Sequence, residues 1–132
     1  MTIDAQGWIS WAERVPGPAW KVSGGVNPVL GFVAHSAEGY EAYLRSYQND
    51  TVRRASWCLS NLYDGRLLQH YPVTSQCWAS GSPYPNNNFV ACEHEGMAGE
   101  PLTPAQIETT RRVIDELMAW KGYSKWARLS EL

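Results

Sequence analysis

The chain has no hydrophobic run of membrane-spanning length, which argues against membrane insertion. Its opening residues, MTIDAQGWISWAERVPGP, lack the basic start and the continuous apolar stretch of a signal peptide. As written, the protein is expected to be cytoplasmic when made, and to need another agent to release it if it works outside. Cysteine is scarce. Cys58, Cys77 and Cys92 are odd in number and have no C-x-x-C spacing, so neither a disulfide framework nor a four-thiolate zinc site is indicated. There is no excess of basic residues, and the net charge of −2 leaves no electrostatic footprint for nucleic acid. Charged residues make up only 18% of the chain against 44% hydrophobic, which excludes the charge-rich, core-poor composition of disordered proteins. Internal repeats and low-complexity tracts are absent. Phenylalanine is rare as well, with two residues against seven Trp and seven Tyr. Rings with an apolar body and a polar tip suit a half-exposed groove that stacks on sugars or peptides, although Trp also simply fills core volume.

What remains is a single domain of 132 residues, long enough to close its own core. Residues 1–30 carry Trp8, Trp11 and Trp20 among prolines and glycines and read as an irregular or short-stranded lead-in packed on the body, which spans residues 31–132. The stretch Gly31–Ser36, GFVAHS, reads as a short buried strand that ends at His35. An imidazole there sits where an α/β layer opens into a crevice. Residues 38–48 place Tyr40, Tyr43, Leu44 and Tyr47 at amphipathic-helix spacing. Two β-rich runs, 55–63 and 66–73, flank Asp64-Gly65, the signature of a hairpin with a type I′ turn. Residues 74–88 read as a long loop carrying Trp78 and Tyr84, and loops of that length usually serve function. FVACE, residues 89–93, is a second apolar strand.

Thr103, Pro104 and Gln106 spell a capping box at the start of a helix whose apolar stripe is Ile107, Thr110, Ile114, Leu117 and Met118, with Gly122 as its stop. A shorter helical tail is expected over 124–132. Strand, helix, hairpin, strand and helix in that order give an α/β domain, a central mixed β-sheet with helices packed on it.

FVAHS, SWCLSNLYDGRLLQHYPV, QCWASG, FVACEHEG and PLTPAQIETTRRVIDELMAW, in this order, resemble the type 2 N-acetylmuramoyl-L-alanine amidase domain. Zinc-dependent phage lysins and peptidoglycan recognition proteins share that domain. The resemblance implies a zinc hydrolase that cuts the amide between N-acetylmuramic acid and the L-alanine of the peptidoglycan stem peptide. It assigns His35 as a zinc ligand and Glu93 as the acidic residue assisting the metal-bound water. A lysin of a phage or prophage, acting on the cell wall after release, is the corresponding biological setting.

Three positions depart from the family pattern. Its remaining two zinc ligands are expected after the last long helix, in residues 121–132, where this chain has no His, Cys or Asp. The expectation is therefore of a domain truncated at its C-terminus, or of one that completes its zinc site unusually. A Tyr-His pair of the second strand is Trp57-Cys58 here, and the histidine of a Trp-His-Ala-Gly loop is Ala79.

Three functions stay open at this level. One is the amidase. The second is an inactive relative that binds muropeptides through Trp57, Trp78 and Tyr84. The third is a hydrolase using Cys77, expected to be the exposed thiol, as nucleophile. His70 and His94 read as structural, and Cys58 and Cys92 as core.

Overall fold

The computed structural model describes residues 2–124. In chain order it contains β1 (Glu13–Arg14), a 3-10 turn at Ala19–Lys21, β2 (Val22–Val26), β3 (Gly31–Ser36), α1 (Glu41–Ser46) and a 3-10 turn at Tyr47–Asn49. Then come β4 (Leu59–Asn61), β5 (Leu67–Gln69), β6 (Ser75–Cys77), α2 (Pro83–Asn88), β7 (Phe89–His94) and α3 (Pro104–Lys121). Five strands form one sheet in the order β1-β5-β4-β7-β3. Only β4 and β5 are antiparallel, so the sheet is mixed. β2 pairs with β6 in a separate antiparallel ribbon. The helical tail expected beyond Ser124 lies outside the described residues.

The two short apolar strands have similar sequences and different places. β7 is interior, with Phe89, Val90, Ala91 and Cys92 all buried. β3 is the sheet edge rather than a core strand, and Ala34 is exposed. Only β7 receives a neighbour on each side, which the apolar run alone does not reveal.

The hairpin forms between β4 and β5, but its turn is wider than type I′. Gly65 N–H donates to the Leu62 carbonyl and Leu62 N–H to the Arg66 carbonyl, closing a loop of residues 62–66. Gly65, at φ +87°, is the one loop residue in the left-handed region, whereas type I′ requires two. The long segment 74–88 is also more ordered than its turn-rich composition implies, since it contributes β6 and α2.

α1 starts later than its tyrosine spacing predicts, because Glu38 turns the chain at φ +53°. Leu44 and Tyr47 then point inward. In α3 the capping box forms as expected. Its buried face is Gln106, Val113 and Leu117, while Ile107 is 46% exposed. Gln106 fixes this rotation, donating to the carbonyls of Asn61 and Glu95 beneath the helix. Two apolar clusters sandwich the sheet. Leu59, Leu67, Val90 and Cys92 pack with Val113 and Leu117 of α3 on one face, and Leu68 and Ala91 pack with Leu44, Tyr47 and Trp57 on the other.

Candidate active site

Side chains of directly paired residues in a sheet leave it on the same face. The register pairs His35 with Glu93, Glu93 with Ser60, and Ser60 with Leu68. These four residues, on β3, β7, β4 and β5, form one row across the α1 face. The row runs from the open edge at His35 to buried Leu68, so polarity and access change along it.

His35 is half-buried, and its Nε2 lies 3.3 Å from the Ser80 hydroxyl. Partial burial lowers its pKa, which favours the neutral imidazole. Glu93 is partly buried among the apolar groups of this face, and burial raises its carboxyl to about 7. Its Oε2 is buried and accepts no hydrogen bond. A carboxyl with these properties is poised to exchange a proton near neutrality.

Ser60 does not supply the missing bond. His70 Nδ1 is 2.8 Å from the Val15 carbonyl, which only accepts, so the proton is on Nδ1 and Nε2 is an acceptor. Ser60 Oγ, 2.8 Å from that Nε2, therefore donates to His70 and accepts from Trp57 Nε1, also at 2.8 Å. Every member of this chain is satisfied. His70 is neutral, with its pKa pushed down to about 4 by burial.

Trp57 is consequently not a groove residue. It is buried, stacked on Tyr47 with centroids 4.8 Å apart, and offers no face to a ligand. Trp78 and Tyr84 are more open. Arg54 lies over the Trp78 ring at 5.0 Å, and Tyr84 is 54% exposed, edge-on to Phe89. Cys77 is buried rather than exposed, and burial lifts its thiol to about 12. A thiol that stays protonated at neutral pH is not a nucleophile. Cys58 and Cys92 are core, as expected.

His94 points to the opposite face, with Nε2 2.8 Å from the Thr110 hydroxyl of α3. Glu95 accepts from the backbone N–H groups of Glu41 and Tyr63, tying the start of α1 to the hairpin. Two residues that the sequence did not single out shape the surroundings of His35. Asn86 Oδ1 accepts from the backbone N–H groups of Ala79 and Ser80, which holds Ser80 against the imidazole. Its place within the Asn86–Asn88 run signalled a turn, but not which amide would reach back to the loop.

Cavities open on either side of His35. One, of about 240 Å³, lies at the strand ends and includes Ser36, His94, Glu95, Met97 and Glu100. The other, of about 380 Å³, lies between β3 and α2 and is lined by Val33, Ser80, Ser82, Tyr84, Pro85 and Phe89.

A catalytic zinc takes three protein donors and keeps one position open. Among the described residues, no group of three His, Cys, Asp or Glu side chains is placed to hold a metal ion. His35 has Glu93 beside it, while the other two imidazoles are bonded elsewhere. The described residues do not by themselves form a zinc site. No helix among them is long and apolar enough to cross a membrane.

Residues 25–128 match the family model of N-acetylmuramoyl-L-alanine amidase. Solved structures share the fold. A selenomethionine derivative of AmpD superposes with a TM-score of 0.70 at 22% identity, over 91% of this chain and 80% of that one. The N-acetylmuramoyl-L-alanine amidase LysC from Clostridium intestinale URNW gives 0.66 at 14% identity, over 91% and 83%. Drosophila Peptidoglycan Recognition Protein (PGRP)-SA gives 0.66 at 13% identity, over 83% and 71%. No curated protein sequence matches significantly.

Proposed function

Because the chain belongs to the N-acetylmuramoyl-L-alanine amidase family, we propose that it cleaves the amide between N-acetylmuramic acid and the L-alanine of the peptidoglycan stem peptide. The observation that carries this reading is the pairing of His35 with Glu93 on one face of the sheet, beside two cavities. Glu93, half-protonated near neutrality, takes a proton from the attacking water as the C–O bond forms. It then returns that proton to the L-alanine nitrogen as the C–N bond breaks. Partial exclusion of water around Glu93 keeps the proton transfer local. Neutral His35 lines both cavities and marks where the amide would lie. Zinc is the cofactor this family resemblance implies, but no step here is routed through it, since the described residues do not complete its site. The setting is the cell wall, reached after release from the cytoplasm.

A second reading, a relative that binds muropeptides without cutting them, is supported by the lack of a three-donor group among the described residues. One experiment separates the two. Purified peptidoglycan is incubated with wild type and Glu93→Gln, with and without added zinc, and released stem peptides and bound protein are both measured. Release by wild type and not by the variant supports cleavage. Binding without release under either condition supports the second reading, and neither binding nor release overturns both.

A further inference from the structure

Two serine–histidine hydrogen bonds lie beside the row of residues that crosses the α1 face, and their surroundings differ. Ser60 and His70 are buried, and each has a further partner, Trp57 and Val15 respectively. Ser80 and His35 instead open onto the cavity between β3 and α2, which both residues line. The 3.3 Å contact of Ser80 Oγ with His35 Nε2 is the only hydrogen bond of either side chain among the described residues. The backbone around Ser80 is fixed without help from the histidine. Asn86 Oδ1 accepts from the Ala79 and Ser80 N–H groups, and Gly81, at φ +66°, turns the chain directly after the serine. The Gly81 N–H makes no hydrogen bond among the described residues. One strand inward from His35, Glu93 leaves the same face with its Oε2 unpartnered.

We propose that Ser80 is a nucleophile and His35 its general base, giving the chain a second activity, the hydrolysis of esters of small apolar acyl groups through an acyl-serine intermediate. This activity does not depend on the proposed action on peptidoglycan. A serine hydroxyl is a weak nucleophile until a neighbouring base takes its proton, and an imidazole within hydrogen-bond reach, itself oriented by a third group, is the arrangement that does so. Such contacts are often long in the free enzyme and tighten when substrate binds. With the ring proton on Nδ1, His35 Nε2 accepts from Ser80, and the Glu93 carboxylate beside the ring favours that tautomer. As Ser80 Oγ bonds to the acyl carbon, its proton passes to Nε2, and the charge on the carbonyl oxygen is met by the free Gly81 N–H. The C–O bond to the alcohol then breaks, and the departing oxygen takes the proton from Nε2. Water attacks the acyl-serine by the same route, giving a proton to Nε2 that returns to Oγ as the acid leaves. Ester and water become acid and alcohol, with the side chains restored. Esters suit the site better than amides, because their leaving oxygen needs less help from an acid than an amine nitrogen does. Val33, Pro85 and Phe89 form apolar walls for the acyl chain. A volume of about 380 Å³ is the room of about a dozen waters at about 30 Å³ each, enough for an acyl group of a few carbons.

The test treats the full chain, kept in EDTA, with 4-nitrophenyl butyrate and, separately, with a fluorophosphonate that labels activated serines. Wild type should release nitrophenolate in a burst that matches the number of chains, the signature of an acyl-enzyme. Its intact mass should gain a single phosphonyl adduct that maps to Ser80. Ser80→Ala and His35→Ala, each first checked for an unchanged thermal melt, should lose the burst and slow turnover by about 10²-fold or more. Ser10→Ala, at an exposed turn, should keep both burst and label. A wild-type chain that takes no adduct, or takes it on another residue, overturns the proposal without recourse to any variant. Ester turnover that survives Ser80→Ala, or that appears only when zinc is added, overturns it as well. Each of these outcomes leaves the action on peptidoglycan to its own assay of stem-peptide release.

Discussion

His35 and Glu93 are direct partners in the parallel β3–β7 ladder, one at the open edge of the sheet and one on an interior strand. Their side chains leave the same face, so an accessible imidazole lies beside a carboxyl whose Oε2 is shielded from water and unpartnered. This difference in access between neighbouring residues sets the chemistry available to each.

Glu93 is held in a state that costs stability. Its carboxyl titrates near 7 in the fold and near 4.5 when unfolded, so the folded state keeps a proton that the unfolded state releases. Between those values stability falls as pH rises, by up to about 3 kcal/mol for this group. Glu93→Gln should therefore be more stable than wild type at pH 8, with the gain shrinking toward pH 4. Stem-peptide release should fall by about 10²–10⁴-fold in the same variant, the usual worth of a positioned acid–base group. Urea denaturation at both pH values and a release assay check the two halves.

His70 gives the opposite slope. Its pKa is about 4 in the fold, where burial disfavours the cation, against 6.5 for an exposed imidazole. As pH falls from 6.5 toward 4 the unfolded chain gains a proton that the folded chain refuses, and stability drops by up to about 3 kcal/mol. His70→Gln should flatten this acid-side loss, at the cost of lower stability at pH 7 because the Ser60 and Val15 bonds are disturbed. Denaturation midpoints from pH 7 to pH 4.5 measure the change in slope.

Thr103 opens α3 and also fastens it to the hairpin. Its hydroxyl accepts from the Gln106 N–H at 3.1 Å and donates to the Tyr63 carbonyl at 2.6 Å. Thr103→Ala should cost about 1–2 kcal/mol, the usual loss of an N-cap side chain. The thermal midpoint should drop by several degrees. Thr103→Ser, which keeps the hydroxyl, should recover most of it.

The three thiols should be silent in the native protein. All are buried, and burial raises each pKa. A thiol-specific reagent at pH 7.5 should label Cys58, Cys77 and Cys92 only at the rate of unfolding and rapidly in denaturant. Prompt native-state labelling of Cys77 would instead place it at the surface and reopen its use as a nucleophile.

The sequence carried the local features. Thr103, Pro104 and Gln106 specify a helix start because the backbone groups they satisfy are within one turn, and the hairpin around Asp64-Gly65 follows from the conformational freedom of Gly65. The order of these pieces was enough to identify the family and the mixed α/β layer. Tertiary structure decided what long-range pairing controls. It put β3 at the edge and β7 inside, although both read as short apolar strands. It turned α3 so that Gln106 is buried and Ile107 exposed, because hydrogen bonds to distant carbonyls outweighed the apolar stripe. It buried Trp57 and Cys77, which composition and local context had suggested for the groove and the surface. Burial, and with it the proton affinity of Glu93, depends on neighbours brought from α1, β3 and β4, and no local spacing in the chain encodes that arrangement.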